Sequence, residues 1–174
     1  MLNDVLLVLS ESLHRNYNGT EQKGIFMKTK IKYSHPIEIT KEVRITYNES
    51  PAHVGRLKHA VDFIIPEGTS IRASADGVVV GVKQDSNIGG PDESFDKFGN
   101  YIEIGHGDEY SIYEHIKQNG ALVKIGDKVS VGQIIGYSGN TGWMAHLGPH
   151  LHFDVHEYVG EGEEDYESLE IQWL

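Results

Sequence analysis

The clearest alternation of apolar and polar positions in this chain runs from His150 to Val155. Leu151, Phe153 and Val155 take every second position, and His150 and His152 lie at positions between them. Side chains along a β-strand point alternately to its two faces, so the apolar set faces a core and both histidines share the opposite face. The pattern therefore predicts a half-buried strand that presents a His-x-His pair to a cleft.

Short apolar runs separated by glycine turns continue through most of the chain. Leu57–Ile65 predicts a strand, and Asn100–His106 with Tyr110–Ile116 predicts a hairpin. Alternating residues predict edge strands within Ile31–Tyr47 and a last strand over Ser168–Leu174. Little of the chain from Ile31 to Leu174 needs to be helical, so we expect an all-β fold.

Two stretches of the chain resemble each other, at residues 66–80 and 125–136. Each consists of a glycine turn, a short strand, a second glycine turn and another strand. We interpret them as a weak internal duplication, of the kind that builds a β-sandwich or barrel from two similar hairpin units. Residues 84–99, between the two stretches, have no periodicity and predict a long loop at a functional rim.

The N-terminal part differs from the rest of the chain. Val5–Leu13 predicts a short amphipathic helix, and the polar run Asn16–Gly24 follows it. We expect residues 1–30 to be an appendage, helical or flexible, and residues 31–174 to form the β domain, with its core within residues 45–157. The segment at Met27 resembles an ordinary protein start, which leaves both Met1 and Met27 open as the start.

Composition restricts the class of ligand. The 174 residues carry a formal net charge of −11, which argues against nucleic acid or an anionic membrane as the main partner. The chain has no cysteine, so any transition metal must be held by histidine and carboxylate. We find no signal peptide and no membrane span, which by itself favours the cytoplasm. The oligomeric state is left open.

Asp62 and His152 are the first candidates for metal ligands. A hydrolytic zinc site needs about three ligands from His, Asp or Glu, together with an open position for water and a nearby base. Asp62 lies in an otherwise apolar strand, where a charge is costly unless it is paired. The alternative for Asp62 is a buried carboxylate whose oxygens accept backbone N–H groups.

Five motifs then follow one another within about Ile45–Glu157. They are the strand around Asp62, the segment Gly68–Val79, Tyr113-Glu114-His115, the segment Gly126–Gly142 and Pro149-His150-Leu151-His152-Phe153. In this order they resemble the lysostaphin-type (LytM-like) zinc metallopeptidases. The resemblance implies a compact antiparallel β domain, built on a duplicated hybrid motif, with a groove between loops. It also implies a peptidoglycan substrate and a location in the cell envelope or outside the cell.

The resemblance further assigns roles to individual residues. It implies that Asp62 and His152 bind Zn²⁺. It also implies that His115 and His150 line the site, polarise or deprotonate the attacking water and stabilise the oxyanion. Together these roles predict a zinc endopeptidase that cuts peptide bonds in peptidoglycan cross-bridges or stem peptides.

The first zinc ligand departs from the usual family pattern. The position four residues before Asp62 is Lys58, where the family has a histidine. His53 and His59 are both candidates to replace it. On a regular strand His59 faces away from Asp62, so we favour His53 on the preceding loop. A bulge in the strand after His59 would reverse that choice.

The anomaly at Lys58 also supports a second functional hypothesis. A non-enzymatic cell-wall binding or amidase-activating module of the same fold would not need a complete ligand set. The joint presence of Asp62, His115, His150 and His152 favours the enzyme instead.

Overall fold

The structure, a computed structural model, describes residues 13–15, 21–23, 27–47, 49–162 and 165–174. Within these ranges the regular elements are β-strands and 3₁₀ turns, and there is no α-helix. The prediction of an all-β fold is confirmed. None of the helical segments in the described part of the chain has the length and apolar character needed to cross a bilayer.

The strands are short, and most are joined by turns. They are β1 Leu13–Arg15, β2 Glu21–Lys23, β3 Arg44–Thr46, β4 Val61–Ile64, β5 Ser70–Arg72, β6 Gly77–Lys83, β7 Gly89–Gly90, β8 Tyr101–Gly105, β9 Tyr110–Glu114, β10 Ile116–Ala121, β11 Lys128–Val129, β12 Ile134–Ser138, β13 Gly142–Trp143, β14 His150–Tyr158 and β15 Tyr166–Ser168. The 3₁₀ turns are η1 Gly55–Leu57, η2 Glu93–Phe98 and η3 Ala145–Leu147.

The main sheet has eight strands and is centred on β14. Its order is β11-β6-β8-β9-β14-β4-β3, and β15 pairs with the C-terminal part of β14. All of these pairings are antiparallel. At the centre of the sheet His152 lies opposite Asp62 of β4 on one side and opposite Glu114 of β9 on the other. Residues directly opposite in a ladder share a face, so these three side chains lie on the same side of the sheet.

The core lies against the other face of this sheet. Leu151, Phe153 and Val155 of β14 are fully buried there, as the alternation predicted. They belong to one apolar cluster with Ile71 of β5 and Ile135 of β12, which come from the three-stranded sheet β10-β12-β5. Side chains of two sheets therefore share one core, which is the arrangement of a sandwich.

In the two stretches that resemble each other in sequence, residues 66–80 and 125–136, each strand of one stretch pairs with a strand of the other. β5 and β6 come from the first stretch, and β11 and β12 come from the second. β5 pairs with β12 in the small sheet, and β6 pairs with β11 in the large one. The predicted duplication therefore contributes one strand of each copy to each sheet.

Several predicted boundaries differ from the observed ones. The strand predicted over residues 57–65 begins only at Val61, because Gly55 has a φ of +56° and starts the turn η1. The last strand is β15, and beyond it Glu170 and Trp173 form isolated bridges to Lys28 and Tyr33. The loop predicted over residues 84–99 contains β7 and η2.

The predicted N-terminal helix lies outside the described residues, apart from Leu13, which begins β1. Thr29 and Tyr33 are buried beside the C-terminal segment. The domain boundary at residue 30 stays a prediction.

Candidate metal centre

Three buried side chains bring their donor atoms together on the polar face of the main sheet. Asp62 and His152 face each other across the β4–β14 ladder, with 3.0 Å between Asp62 Oδ1 and His152 Nδ1. The Nε2 atom of His53 lies 3.1 Å from Asp62 Oδ1 and 3.3 Å from His152 Nδ1. One donor atom from each residue lies within 4.8 Å of the other two. Two imidazole nitrogens and one carboxylate oxygen thus converge on one small volume.

The loop before β4 directs the Nε2 atom of His53 towards Asp62. His53 precedes η1, and its Nδ1–H donates to the backbone carbonyl of Tyr47. This hydrogen bond leaves Nε2 as the ring nitrogen with a free lone pair, and Nε2 is the atom that faces Asp62.

His59 lies elsewhere. The chain at Lys58 and His59 is still in the turn that follows η1, so the regular strand geometry begins after both residues. The backbone N–H of His59 donates to Ser168 Oγ at 3.0 Å. With Lys58 and Trp173, His59 lines a cavity of about 380 Å³, and it is not among the residues whose donor atoms converge.

The electrostatics of the cluster suit a cation. Burial alone would raise the pKa of Asp62, but the neighbouring imidazoles of His152 and His53 outweigh it and hold the pKa of this carboxyl far below its usual range. Burial would lower the pKa of His152, but Asp154 and Asp62 raise it well above the usual value. The metal-free cluster therefore holds a proton that a bound cation would replace. Buried His and Asp donors without cysteine are a set that zinc accepts.

His115 and His150 lie beside the three donors. The ring centroids of His115 and His150 are 4.4 Å apart, and those of His115 and His152 are 6.1 Å apart. His150 is on β14, two residues before His152 and on the same face. The structure thus brings all five predicted site residues into one group.

Backbone hydrogen bonds assign the same tautomer to His115 and His150. The Nδ1–H of His115 donates to the carbonyl of Thr141 at 2.7 Å, and that of His150 donates to the carbonyl of Gly148 at 2.9 Å. Burial, together with His150 and His152, lowers the pKa of His115 to about 3, and burial also lowers the pKa of His150. Each ring is therefore neutral near pH 7, with an unprotonated Nε2 that can accept a proton.

The backbone of His115 adopts an uncommon conformation. Its φ of +61° lies in the left-handed region, which a non-glycine residue occupies only when its surroundings hold it there. The loop that follows β12 provides these surroundings, because the N–H of Gly139 donates to the carbonyl of His115 at 2.8 Å. A Cβ at Gly142, whose φ is +85°, would lie 2.7 Å from Gly99 Cα. The glycine-rich run 138–142 thus positions His115, a role that sequence reasoning missed although the glycine spacing was visible.

A cleft opens directly beside the donor cluster. It has a volume of about 230 Å³, and both Asp62 and His150 line it. Its other walls come from β3 and from the loops around residues 49–51 and 144–147. A ligand in this cleft would reach the converging donors and His150 at the same time.

Comparison with known proteins places this chain in a family. Residues 56–165 match the model of Peptidase family M23. The chain belongs to peptidase family M23. The predicted resemblance to LytM-like zinc metallopeptidases is confirmed, and so is zinc as the cofactor.

Relatives of this M23 domain include two curated proteins. The chain is 37% identical over 143 residues to an uncharacterised metalloprotease of Buchnera aphidicola, covering 79% of this chain and 33% of that protein. It is 42% identical over 98 residues to the peptidoglycan DD-endopeptidase ShyA of Vibrio cholerae, covering 56% of this chain and 20% of ShyA. The chain thus spans a third or less of the length of either relative.

A solved structure shares the fold. A zinc-containing peptidase from Vibrio cholerae aligns with a TM-score of 0.51 and 26% sequence identity, covering 83% of this chain and 43% of that one. The likeness agrees with zinc as the cofactor of the M23 domain.

The depressed pKa of His115 makes a prediction about acid stability. The unfolded chain binds a proton at the usual pKa of 6.5, whereas the folded chain does so only near pH 3. Folding stability is therefore lost as the pH falls from 6.5 towards 3. In chelator-treated protein we expect His115→Asn to reduce the loss between pH 6.5 and pH 4 by on the order of 3 kcal/mol. Urea unfolding at several pH values in this range measures the free energy of unfolding. Equal losses of this free energy in the wild type and in His115→Asn would contradict the prediction.

Proposed function

We propose that this M23 domain is a zinc endopeptidase that hydrolyses peptide bonds of bacterial peptidoglycan. The observation that carries the proposal is the joint arrangement of three converging donors and two neutral histidines beside an open cleft. The name of ShyA as a peptidoglycan DD-endopeptidase supports the substrate class. Such a substrate lies in the cell envelope, and we expect the protein to act there.

We infer that His53, Asp62 and His152 hold the zinc ion. Each supplies one donor atom, which leaves room for water or substrate as a further ligand. Bound there, zinc supplies a Lewis acid that polarises the scissile carbonyl and lowers the pKa of a water molecule. Asp62 also compensates part of the ion's charge, because its carboxyl stays ionised.

His115 and His150 supply the proton transfers. Their Nδ1–H groups are engaged by backbone carbonyls, so in each ring Nε2 is the atom available for chemistry. As neutral bases they accept the proton of the attacking water, and the resulting imidazolium returns it to the leaving amine. A protonated Nε2 also donates a hydrogen bond to the oxyanion that develops on the substrate carbonyl.

The alternative is a binding or amidase-activating module that does no chemistry. Lys58 at the usual ligand position is the observation in its favour. His53 can replace the histidine that is missing at position 58, because its Nε2 lies close to both Asp62 Oδ1 and His152 Nδ1. The complete donor set and the oriented tautomers favour the enzyme.

The choice of ligand is tested by two histidine variants. We expect His53→Ala to lose high-affinity zinc binding, because two donors alone compete poorly with water for the ion. His59→Ala is the matched control and should bind about one zinc per chain, like the wild type. Elemental analysis after dialysis measures the bound metal. Zinc retained by His53→Ala and lost by His59→Ala would reverse the assignment.

The roles of the other two histidines are tested by separating metal binding from turnover. His115→Ala and His150→Ala should keep zinc while peptidase activity on purified peptidoglycan falls by about two to four orders of magnitude. Chromatography of the released fragments measures the rate, and elemental analysis measures the metal. Loss of zinc in either variant would make that histidine a ligand. A zinc-loaded wild type that releases no fragments would favour the non-enzymatic module.

A further inference from the structure

The polar face of β14 continues beyond the metal centre. His150, His152, Asp154 and His156 occupy every second position of the strand, and all four are buried. The proposed reaction uses only the first two. Asp154 and His156 therefore need an explanation, because buried ionisable groups are costly unless each has a partner.

The ring of His152 has two ends in different surroundings. Its Nδ1 faces Asp62 and His53, and its Nε2 lies 3.8 Å from Asp154 Oδ2. Neither His152 Nε2 nor Asp154 Oδ2 has a hydrogen-bond partner among the described residues, although both atoms are buried. The two atoms without partners face each other, so a small approach would form one hydrogen bond.

Metal binding would require that hydrogen bond. An imidazole that offers Nδ1 to a metal carries its proton on Nε2, and a buried N–H needs an acceptor. The atom positioned to accept it is Asp154 Oδ2. A carboxylate in this place fixes both the tautomer and the orientation of the ring.

Asp154 is itself held from the other side. Its Oδ1 accepts a hydrogen bond from His156 Nδ1 at 2.8 Å, and His156 Nε2 lies 3.2 Å from Glu103 Oε1. Both ring nitrogens of His156 thus face carboxylates. Burial would lower the pKa of His156, but Asp154 and Glu103 raise it to about 9. The ring of Tyr166 packs on His156, with 4.5 Å between the centroids.

We propose that Asp154 is a positioning residue that orients the zinc ligand His152 through its Nε2, and that His156 holds Asp154 in place for this role. The inference rests on the proposed function only in taking His152 as a zinc ligand. It requires no knowledge of the substrate.

The decisive variant is Asp154→Asn, which keeps the size of the side chain but removes the anionic acceptor. We expect zinc affinity to fall by about 10- to 100-fold, the usual effect of removing such a partner. Competition with a chromophoric chelator measures the affinity in the full-length protein. His156→Gln should weaken zinc binding in the same direction, by about threefold or more, because Asp154 then loses its holding contact.

Tyr158→Phe is the matched control. Glu103 contacts the far nitrogen of His156, and the hydroxyl of Tyr158 donates to Glu103 Oε1 at 2.9 Å. Tyr158→Phe removes a polar group from the same cluster, but from a residue whose hydroxyl bonds neither His152 nor Asp154. This control should bind zinc like the wild type.

The outcomes separate this role from a purely structural one. If Asp154→Asn lowers only the urea stability of the metal-free protein and keeps wild-type zinc affinity, the proposal is overturned. If Asp154→Asn does not fold, His156→Gln becomes the test. A wild-type zinc affinity in His156→Gln would then overturn the proposal. A wild-type protein that binds zinc but cuts no peptidoglycan would contradict the proposed function and would not affect this inference.

Discussion

The antiparallel register of β14 between β4 and β9 is the constraint on which the site depends. It sets Asp62 opposite His152, so that both side chains emerge on one face of the main sheet. A slip of one residue in this ladder would turn the donors of one strand into the core and its apolar residues into the cleft. The fully buried row Leu151, Phe153 and Val155 makes such a slip costly. The core therefore fixes the position of two of the three proposed ligands.

Local surroundings divide the histidines of this sheet face into two chemical kinds. His152 and His156 contact carboxylates, and in the absence of metal their pKa values are raised. His115 and His150 donate instead to backbone carbonyls, so burial dominates and their pKa values fall. One residue type thus supplies both cationic groups and neutral bases within a small part of the fold. The identity of the neighbouring acceptor, carboxylate or carbonyl, makes the difference.

The parts of the fold that follow from local periodicity could be predicted. The alternation in β14 predicted its buried face, and the ordered motifs predicted the five site residues that the structure brings together. The start of β4 was missed, because apolar character does not distinguish a strand from a turn such as η1 that precedes it. The left-handed backbone of His115 was missed as well, because the loop at Gly139 that supports it is distant in sequence. His156 is also buried, with the ring of Tyr166 of the paired strand β15 packed on it, and no local pattern indicated this contact.

Along β14, apolar residues of the core alternate one for one with the polar residues of the proposed site. Phe153 separates His152 from Asp154, and its side chain belongs to the apolar cluster behind the sheet. We expect a substitution that changes the volume of Phe153 to shift the backbone between the proposed ligand His152 and Asp154. Thermostabilising libraries that vary this core would therefore alter the geometry of the proposed metal site without changing any polar residue.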